Sequence, residues 1–340
     1  MTVNNSSDNL LEVRDLSISI REGDASYTAV DGISYEVKKG EILGMVGESG
    51  CGKTVTNLAV MGLLPAVLSV SGGSILYDGK ELTGISDAER RSLNGNEISM
   101  IYQEPLTSLN PLARIGDQVR ESLEIHHPEL TKEEKEKRVL QALSEVGLSN
   151  PEELIRMYPH QLSGGMRQRV CIAMATICRP RLMIADEPTT ALDVTVQARV
   201  LRLLRHINRK YGMSMIFISH DLAVIRQICD RVIVMYAGKI VEEGPVEDIL
   251  QHPAHEYTKG LLRSIPNVNN SKERLIPISG TPINLLNMPK GCAFCSRCDK
   301  AMKICLEQKP EELSMSDTHK ASCWMNVKEM LEKQAGGAQA

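Results

Sequence analysis

The chain has 340 residues, enough for about two or three domains with a sizeable buried core. Hydrophobic residues make up 42% and charged residues 24%, which excludes disorder along the whole chain. Lys+Arg 39 against Asp+Glu 43 leaves a net charge of -4, and aromatics are only 3%, so neither a basic phosphate-coating protein nor a base-stacking one fits; no nucleic-acid partner is expected.

The opening MTVNNSSDNLLEVRD is polar and then acidic, without a secretory pattern. Residues 10–20 alternate apolar and polar (Leu11, Val13, Leu16, Ile18, Ile20), which predicts a strand with one buried face. A second run covers Thr28–Val37. Glu41–Val46 reads as a buried strand, ends in GESGCGKT, and leads into a helix from Thr54 to about Leu64. The longest apolar stretch, Leu58–Val70, is broken by Gly62, Pro65 and Ser69 and falls short of the ~18–20 apolar residues of a membrane helix. The expectation is a chain on the cytoplasmic side. Further strands are predicted at Ser74–Tyr77 and Ile98–Tyr102.

Between Leu106 and Tyr158 charge-rich helical patterns dominate, with Thr131 and Glu134 at capping-box spacing, which predicts an inserted helical segment with a solvated face. Strands return at Arg181–Asp186, Ser214–Ser219 and Arg231–Tyr236, with helices at Thr195–Arg209 and Leu222–Cys229 between them. Such alternation predicts an α/β layer structure with a mainly parallel sheet. After Ser264, Pro266, Pro277, Pro282 and Pro289 mark a linker into a small C-terminal module. Of nine cysteines, Cys51, Cys171, Cys178 and Cys229 are scattered and read as small buried hydrophobes. Cys292, Cys295, Cys298, Cys305 and Cys323 crowd near the C-terminus, a density that in a reducing compartment points to metal rather than disulfides.

The string Gly47-Glu-Ser49-Gly50-Cys51-Gly52-Lys53-Thr54 matches GxxxxGK(S/T) between a strand and a helix. Its glycines let backbone N–H groups turn around phosphate oxygens at a helix N-terminus, Lys53 reaches the outer phosphates, and the Thr54 hydroxyl ligates Mg²⁺. Leu182–Asp186 is a buried strand followed by Glu187. Asp186 is placed to complete the Mg²⁺ sphere and Glu187 to polarise an attacking water. His220 and Gln103 each follow a strand, His220 near the transferred phosphate and Gln103 where it senses metal or water. Leu162-Ser163-Gly164-Gly165-Met166 is a second anion site at a helix N-terminus, with Ser163 as N-cap. One nucleotide does not readily use both sites within one domain, so two chains facing each other are expected.

These motifs, in this order, resemble the nucleotide-binding subunit of an ATP-binding cassette (ABC) transporter across roughly residues 10–262. The resemblance implies a P-loop NTPase core with an antiparallel β subdomain and an inserted helical subdomain (about 104–165) within residues 1–264, and a small Cys-rich C-terminal module over 265–340. It implies a head-to-tail dimer with a second ABC ATPase subunit, a copy or a paralogue, and two ATP molecules with Mg²⁺ at the interface. The parts map as P-loop Gly47–Thr54, Q-loop Gln103, signature Leu162–Met166, acidic strand Leu182–Glu187, D-loop Ala191–Asp193 and switch histidine His220. Such domains stack an aromatic on adenine from the first hairpin; Ile20 stands where related peptide importers carry Phe, and Tyr27 is chosen, a plain surface tyrosine being the other reading.

Tyr102–Pro111, Ala185–Asp193 and His255-Glu-Tyr-Thr-Lys-Gly-Leu-Leu resemble the dipeptide/oligopeptide/nickel importer branch. That likeness implies two membrane permeases, an extracytoplasmic binding protein, and a peripheral location at the cytoplasmic face of the membrane. In this branch Cys292, Cys298, Cys305 and Cys323 fit a pattern that in some members holds a 4Fe–4S cluster. Four thiolates suffice for such a cluster or for a tetrahedral Zn²⁺ site, free thiols being the remaining reading, and Cys295 leaves open which four ligate. The rival reading is a soluble ABC ATPase without permease, serving iron–sulfur assembly.

Overall fold

The computed structural model describes residues 8–23, 25–104, 108–190, 192–264 and 277–337. The first part of the predicted linker, with Pro266, and Ala191 of the D-loop lie outside them. In chain order the elements begin with β1 (Asn9–Glu22), β2 (Ala25–Lys38), β3 (Ile42–Val46), α1 (Lys53–Met61), β4 (Leu68–Tyr77), β5 (Lys80–Glu81), α2 (Asp87–Leu93) and β6 (Ile98–Ile101). Helices α3 (Ile115–His126), α4 (Lys132–Glu145), α5 (Pro151–Leu154) and α6 (Gly164–Thr176) follow. Next come β7 (Leu182–Asp186), α7 (Val194–Tyr211), β8 (Ser214–Ser219), α8 (Leu222–Ile228), β9 (Arg231–Tyr236), β10 (Lys239–Pro245), α9 (Val246–Gln251) and α10 (Glu256–Arg263). The C-terminal segment holds α11 (Lys303–Glu307), β11 (Leu313–Ser314), β12 (Lys320–Ala321) and α12 (Trp324–Gly337).

Two sheets result. Strands β2-β1-β4-β5 form an antiparallel sheet, and the larger sheet runs β11-β12-β10-β9-β3-β8-β7-β6, with β9, β3, β8, β7 and β6 parallel. Side chains alternate across a strand, and the sequence uses both faces. Ile42, Val46, Met183, Ala185, Met215, Phe217, Val232 and Val234 join the core that continues into α3, α4 and α6. Leu43, Met45, Leu182, Ile184, Ile216, Ile218, Ile233 and Met235 pack instead on the antiparallel sheet. Covered on both sides, these strands read as continuous apolar runs rather than alternating ones.

Local signals set most boundaries. The capping box at Thr131 is present, its hydroxyl accepting from Glu134 N at 3.2 Å and Glu134 Oε2 accepting from Thr131 N at 2.8 Å. Helix α1 stops three residues before the predicted Leu64, because Gly62 adopts a left-handed conformation (φ 65) and its N–H closes on Ala59 O. Strand β4 begins at Leu68 rather than Ser74; register shifts against β1 between Arg14 and Ser17 absorb the Gly72–Gly73 pair.

The C-terminal segment is built onto the main sheet. β12 pairs with β10 through Glu242↔Ala321 and Glu243↔Lys320. Phe294 packs its ring against Tyr236, Tyr257 and His255, with centroids 5.2, 5.4 and 5.9 Å away. Among the described residues no helix is long and apolar enough to cross a membrane.

Candidate nucleotide site

Strands β3, β6, β7 and β8 run parallel, so their C-terminal ends share one edge of the sheet, the edge where α/β folds bind ligands. Four of the motifs emerge there. The P-loop follows β3 and opens α1, with Gly52 as its left-handed N-cap (φ 106). A Cβ on Gly47 would collide with the Met235 carbonyl and with Cys51 Sγ, so only glycine lets the loop lie this close to β9. Lys53 is buried, and its ammonium donates to Gly47 O at 2.7 Å and Glu48 O at 3.0 Å, which holds it over the loop. Burial pushes the Cys51 thiol up despite the neighbouring Lys53 charge, so it stays protonated and serves as packing.

Asp186, at the end of β7, accepts a hydrogen bond from Thr54 Oγ1 at 2.9 Å. Its carboxyl is held above the usual range, mainly by burial and further by Glu187, with Thr54 and Lys53 opposing. A hydroxyl and a carboxylate so placed are oxygen donors suited to Mg²⁺, a cation that takes one or two carboxylates and leaves its other positions to water and phosphate. Glu187 is the meeting point of the remaining groups. Its Oε2 lies 3.2 Å from Gln103 Nε2, 3.3 Å from His220 Nδ1 and 2.9 Å from Thr190 Oγ1. The backbone is left-handed there (φ 46), and Glu187 N donates to Ile218 O of β8 at 3.1 Å. The predicted residues Lys53, Thr54, Gln103, Asp186, Glu187 and His220 therefore form one linked set. Thr190 was not predicted; its place three residues beyond Glu187, with a hydroxyl, was the available signal.

Ser163 caps α6, its hydroxyl accepting from Met166 N at 3.4 Å, and Ser163 and Gly164 are exposed. Gly165 sits where a Cβ would lie 3.1 Å from Val196 of α7. Asp193, also exposed, caps α7 through Val196 N at 2.9 Å. Signature and D-loop thus meet at the ends of two neighbouring helices. Tyr27 lies directly opposite Ile20 in the β1–β2 register. It lines a cavity of about 770 Å³ that also touches Tyr236, Ala237 and Leu285. A smaller cleft lined by Ser49, Gly50 and Cys51 shares Tyr236, Ala237 and Leu285 with it, so the same three residues border both hollows.

The expected metal centre of the C-terminal segment is not supported. Among the described residues no group of three or more His, Cys, Asp or Glu side chains is arranged to hold a metal ion. Cys292, Cys295, Cys298, Cys305 and Cys323 form no disulfide. Burial pushes Cys292 up to about 12 and Cys298 up to about 11, and it raises Cys295 and Cys323 as well. Cys292 and Cys298 pack against the main core. Burial, with the neighbouring sulfurs adding to it, disfavours the thiolate at Cys292, Cys295, Cys298 and Cys323. Cys295 N closes a turn on Cys292 O (3.1 Å), and Cys292 N donates across to Cys305 O (2.8 Å).

A family model for ABC transporters matches residues 30–190, and one for the oligopeptide/dipeptide transporter C-terminal region matches residues 241–305. The chain is 48% identical over 317 residues to the dipeptide transport ATP-binding protein DppD of Bacillus subtilis, covering 93% of this chain and 94% of that protein. It is 44% identical over 322 residues to the oligopeptide transport ATP-binding protein OppD of Salmonella typhimurium, covering 95% of each. Among solved structures, the post-hydrolysis dimer of the ATP-binding cassette MJ0796 with ADP and Pi superposes with a TM-score of 0.63 at 26% identity, over 69% of this chain and 98% of that one.

Proposed function

The chain belongs to the ABC transporter family of ATP-binding proteins, and from that premise we propose that it is the ATP-hydrolysing motor of an importer for di- or oligopeptides. The observation that carries the catalytic part is the convergence of Gln103, His220 and Thr190 on Glu187 Oε2, at the same strand edge as the Thr54–Asp186 pair. In this reading Ser49, Gly50, Cys51 and Gly52 wrap the phosphates with backbone N–H groups and Lys53 swings from its carbonyls to the β- and γ-phosphates. Thr54 and Asp186, with Gln103, would hold Mg²⁺, which supplies charge neutralisation on the phosphates. Glu187 orients the attacking water, Gln103 and Thr190 fix its carboxylate, and His220 faces the transferred phosphoryl group. Tyr27 supports the adenine.

Ser163, Gly164 and Gly165 act on the nucleotide of a second cassette, with Asp193 beside them, in a head-to-tail dimer. The pair sits peripherally on the cytoplasmic face of the membrane, on two permease subunits fed by an extracytoplasmic binding protein. Residues 1–264 form the nucleotide-binding domain, with its helical subdomain over about 104–165, and 265–340 the extension. The thiols of that extension are packing groups. A permease-free ATPase in iron–sulfur assembly draws no support from relatives that carry transport in their names.

The test is Glu187→Gln in the assembled transporter. Mg·ATP binding is retained, and steady-state hydrolysis falls by about 10²–10³-fold, the scale of losing one transition-state contact. Wild-type turnover in that variant rejects the assignment.

A further inference from the structure

Glu48 occupies one of the unspecified positions of the GxxxxGK(S/T) loop, yet each of its polar groups is engaged. Its N–H donates to Tyr257 Oη at 2.8 Å, and its carbonyl accepts from Lys53 Nζ at 3.0 Å. Its carboxylate takes both arms of the Arg297 guanidinium, with Nη1 to Oε2 at 2.6 Å and Nη2 to Oε1 at 2.9 Å. Arg297 belongs to the C-terminal segment and is held rigidly in turn. Its Nε donates to Ser279 O at 2.9 Å, its Nη1 reaches Tyr236 Oη at 3.4 Å, and its side chain is only 4% exposed. The guanidinium carbon lies 5.9 and 6.0 Å from the ring centroids of Tyr236 and Phe294.

An ion pair between a buried and a partly exposed side chain adds little net stability, because desolvation and solvent screening offset the attraction, so gluing the segment down does not account for this one. The segment already has other anchors, in the β10–β12 pairing and in His319 Nε2 against Glu242 Oε1 at 2.8 Å. What a two-armed planar clamp provides is orientation. Here it fixes the residue whose peptide groups stand at the mouth of the phosphate loop.

We infer that Arg297 is a positioning residue for the phosphate loop: by clamping Glu48 it holds the loop's backbone in its phosphate-binding arrangement and ties nucleotide affinity to the seating of the C-terminal segment. The inference rests on the reading of Gly47–Thr54 as a triphosphate site. Coupling between two sites is reciprocal, so bound nucleotide must stabilise the seated segment by the factor by which the seat tightens the nucleotide.

The experiment uses the full chain. Equilibrium binding of Mg·ATP is measured for wild type, Arg297→Ala, Arg297→Lys, Glu48→Gln and the double variant, with KM and kcat taken in the assembled transporter. Arg297→Ala raises Kd and KM about 10-fold and leaves kcat within about 2-fold, as lost coupling of ordinary size requires. Arg297→Lys, which keeps the charge and the fold but loses the fork, falls between the two. In the Glu48→Gln background Arg297→Ala adds nothing further. Mg·ATP also slows amide hydrogen exchange over residues 279–298 in wild type and not in Arg297→Ala. An unchanged Kd in both Arg297 variants, or a full further rise in the double variant, overturns the inference. Failure of wild type to bind Mg·ATP would instead strike the reading of the loop itself.

Discussion

Asp186 shows most plainly how this chain trades comfort for chemistry. Its carboxylate is buried at the end of a strand, with one hydroxyl as its hydrogen-bond partner and a second carboxylate next in sequence. Both circumstances disfavour the charged form, which is why its pKa is raised. A carboxyl whose pKa is higher in the folded than in the unfolded state costs stability at neutral pH, and the cost fades as pH falls toward the raised value. Asp186→Asn keeps the size and an acceptor for Thr54 and removes the charge. Its melting temperature at pH 7 is therefore at least that of wild type, and the gap closes on acidification. Mg²⁺-dependent hydrolysis, measured in the same preparation, falls by about 10²-fold or more. A variant that melts lower at pH 7 would mean that Asp186 is a structural group and not a functional one.

At the scale of elements, helix α10 carries a second pH-sensitive group. His255 caps it, with Nδ1 accepting from Tyr257 N at 3.0 Å, and its own N–H donates to Glu242 Oε2 at 2.9 Å. Burial pushes the ring down to about 4, with Glu242 and Glu256 opposing. The unfolded chain takes up this proton first, so stability is complete above about pH 6.5 and declines toward pH 4, by about 2 kcal/mol between pH 7 and pH 5. His255→Asn keeps a capping acceptor, and thermal melts at the two pH values should show a smaller fall than in wild type. His126, also held low by burial, keeps part of the slope in both proteins. An undiminished slope would assign the acid sensitivity elsewhere. Elements and site were legible in the sequence to unequal degrees. The buried parallel strands could be read because each is a short apolar run that stops at a chemical residue, as Leu182–Asp186 does before Glu187. The two-residue strands β5, β11 and β12 left no periodic signal, since so short a strand is defined by its partner. Arg297 was hidden between two cysteines whose spacing drew attention to metal, and Glu48 stood at a position the loop pattern leaves blank. Their pairing spans 249 residues, and no local pattern encodes a contact of that range.

For the whole molecule, the proposed function rests on two motif-bearing surfaces that the chain builds in different places. One is the P-loop edge with Lys53, Thr54, Asp186 and Glu187; the other is the exposed opening of α6 with Ser163 and Gly164. In the proposed head-to-tail pair, each opening would face the other chain's P-loop and complete two sites. Ser163→Arg separates the two surfaces experimentally. Its direct cost to α6 is the loss of one N-cap, about 1 kcal/mol, so the isolated variant folds and binds Mg·ATP as wild type does. Placed opposite an unaltered mate, it abolishes hydrolysis at the mate's P-loop, because a bulky cation replaces the small hydroxyl that faces the γ-phosphate. The sharper form uses two inactive variants together, Lys53→Ala in one chain and Ser163→Arg in the other. The mixed pair contains one P-loop with an intact Lys53 facing one intact Ser163, and part of the activity returns that neither variant shows alone. If the mixture stays silent although the two chains associate, both surfaces serve the same chain and the shared-site architecture is wrong.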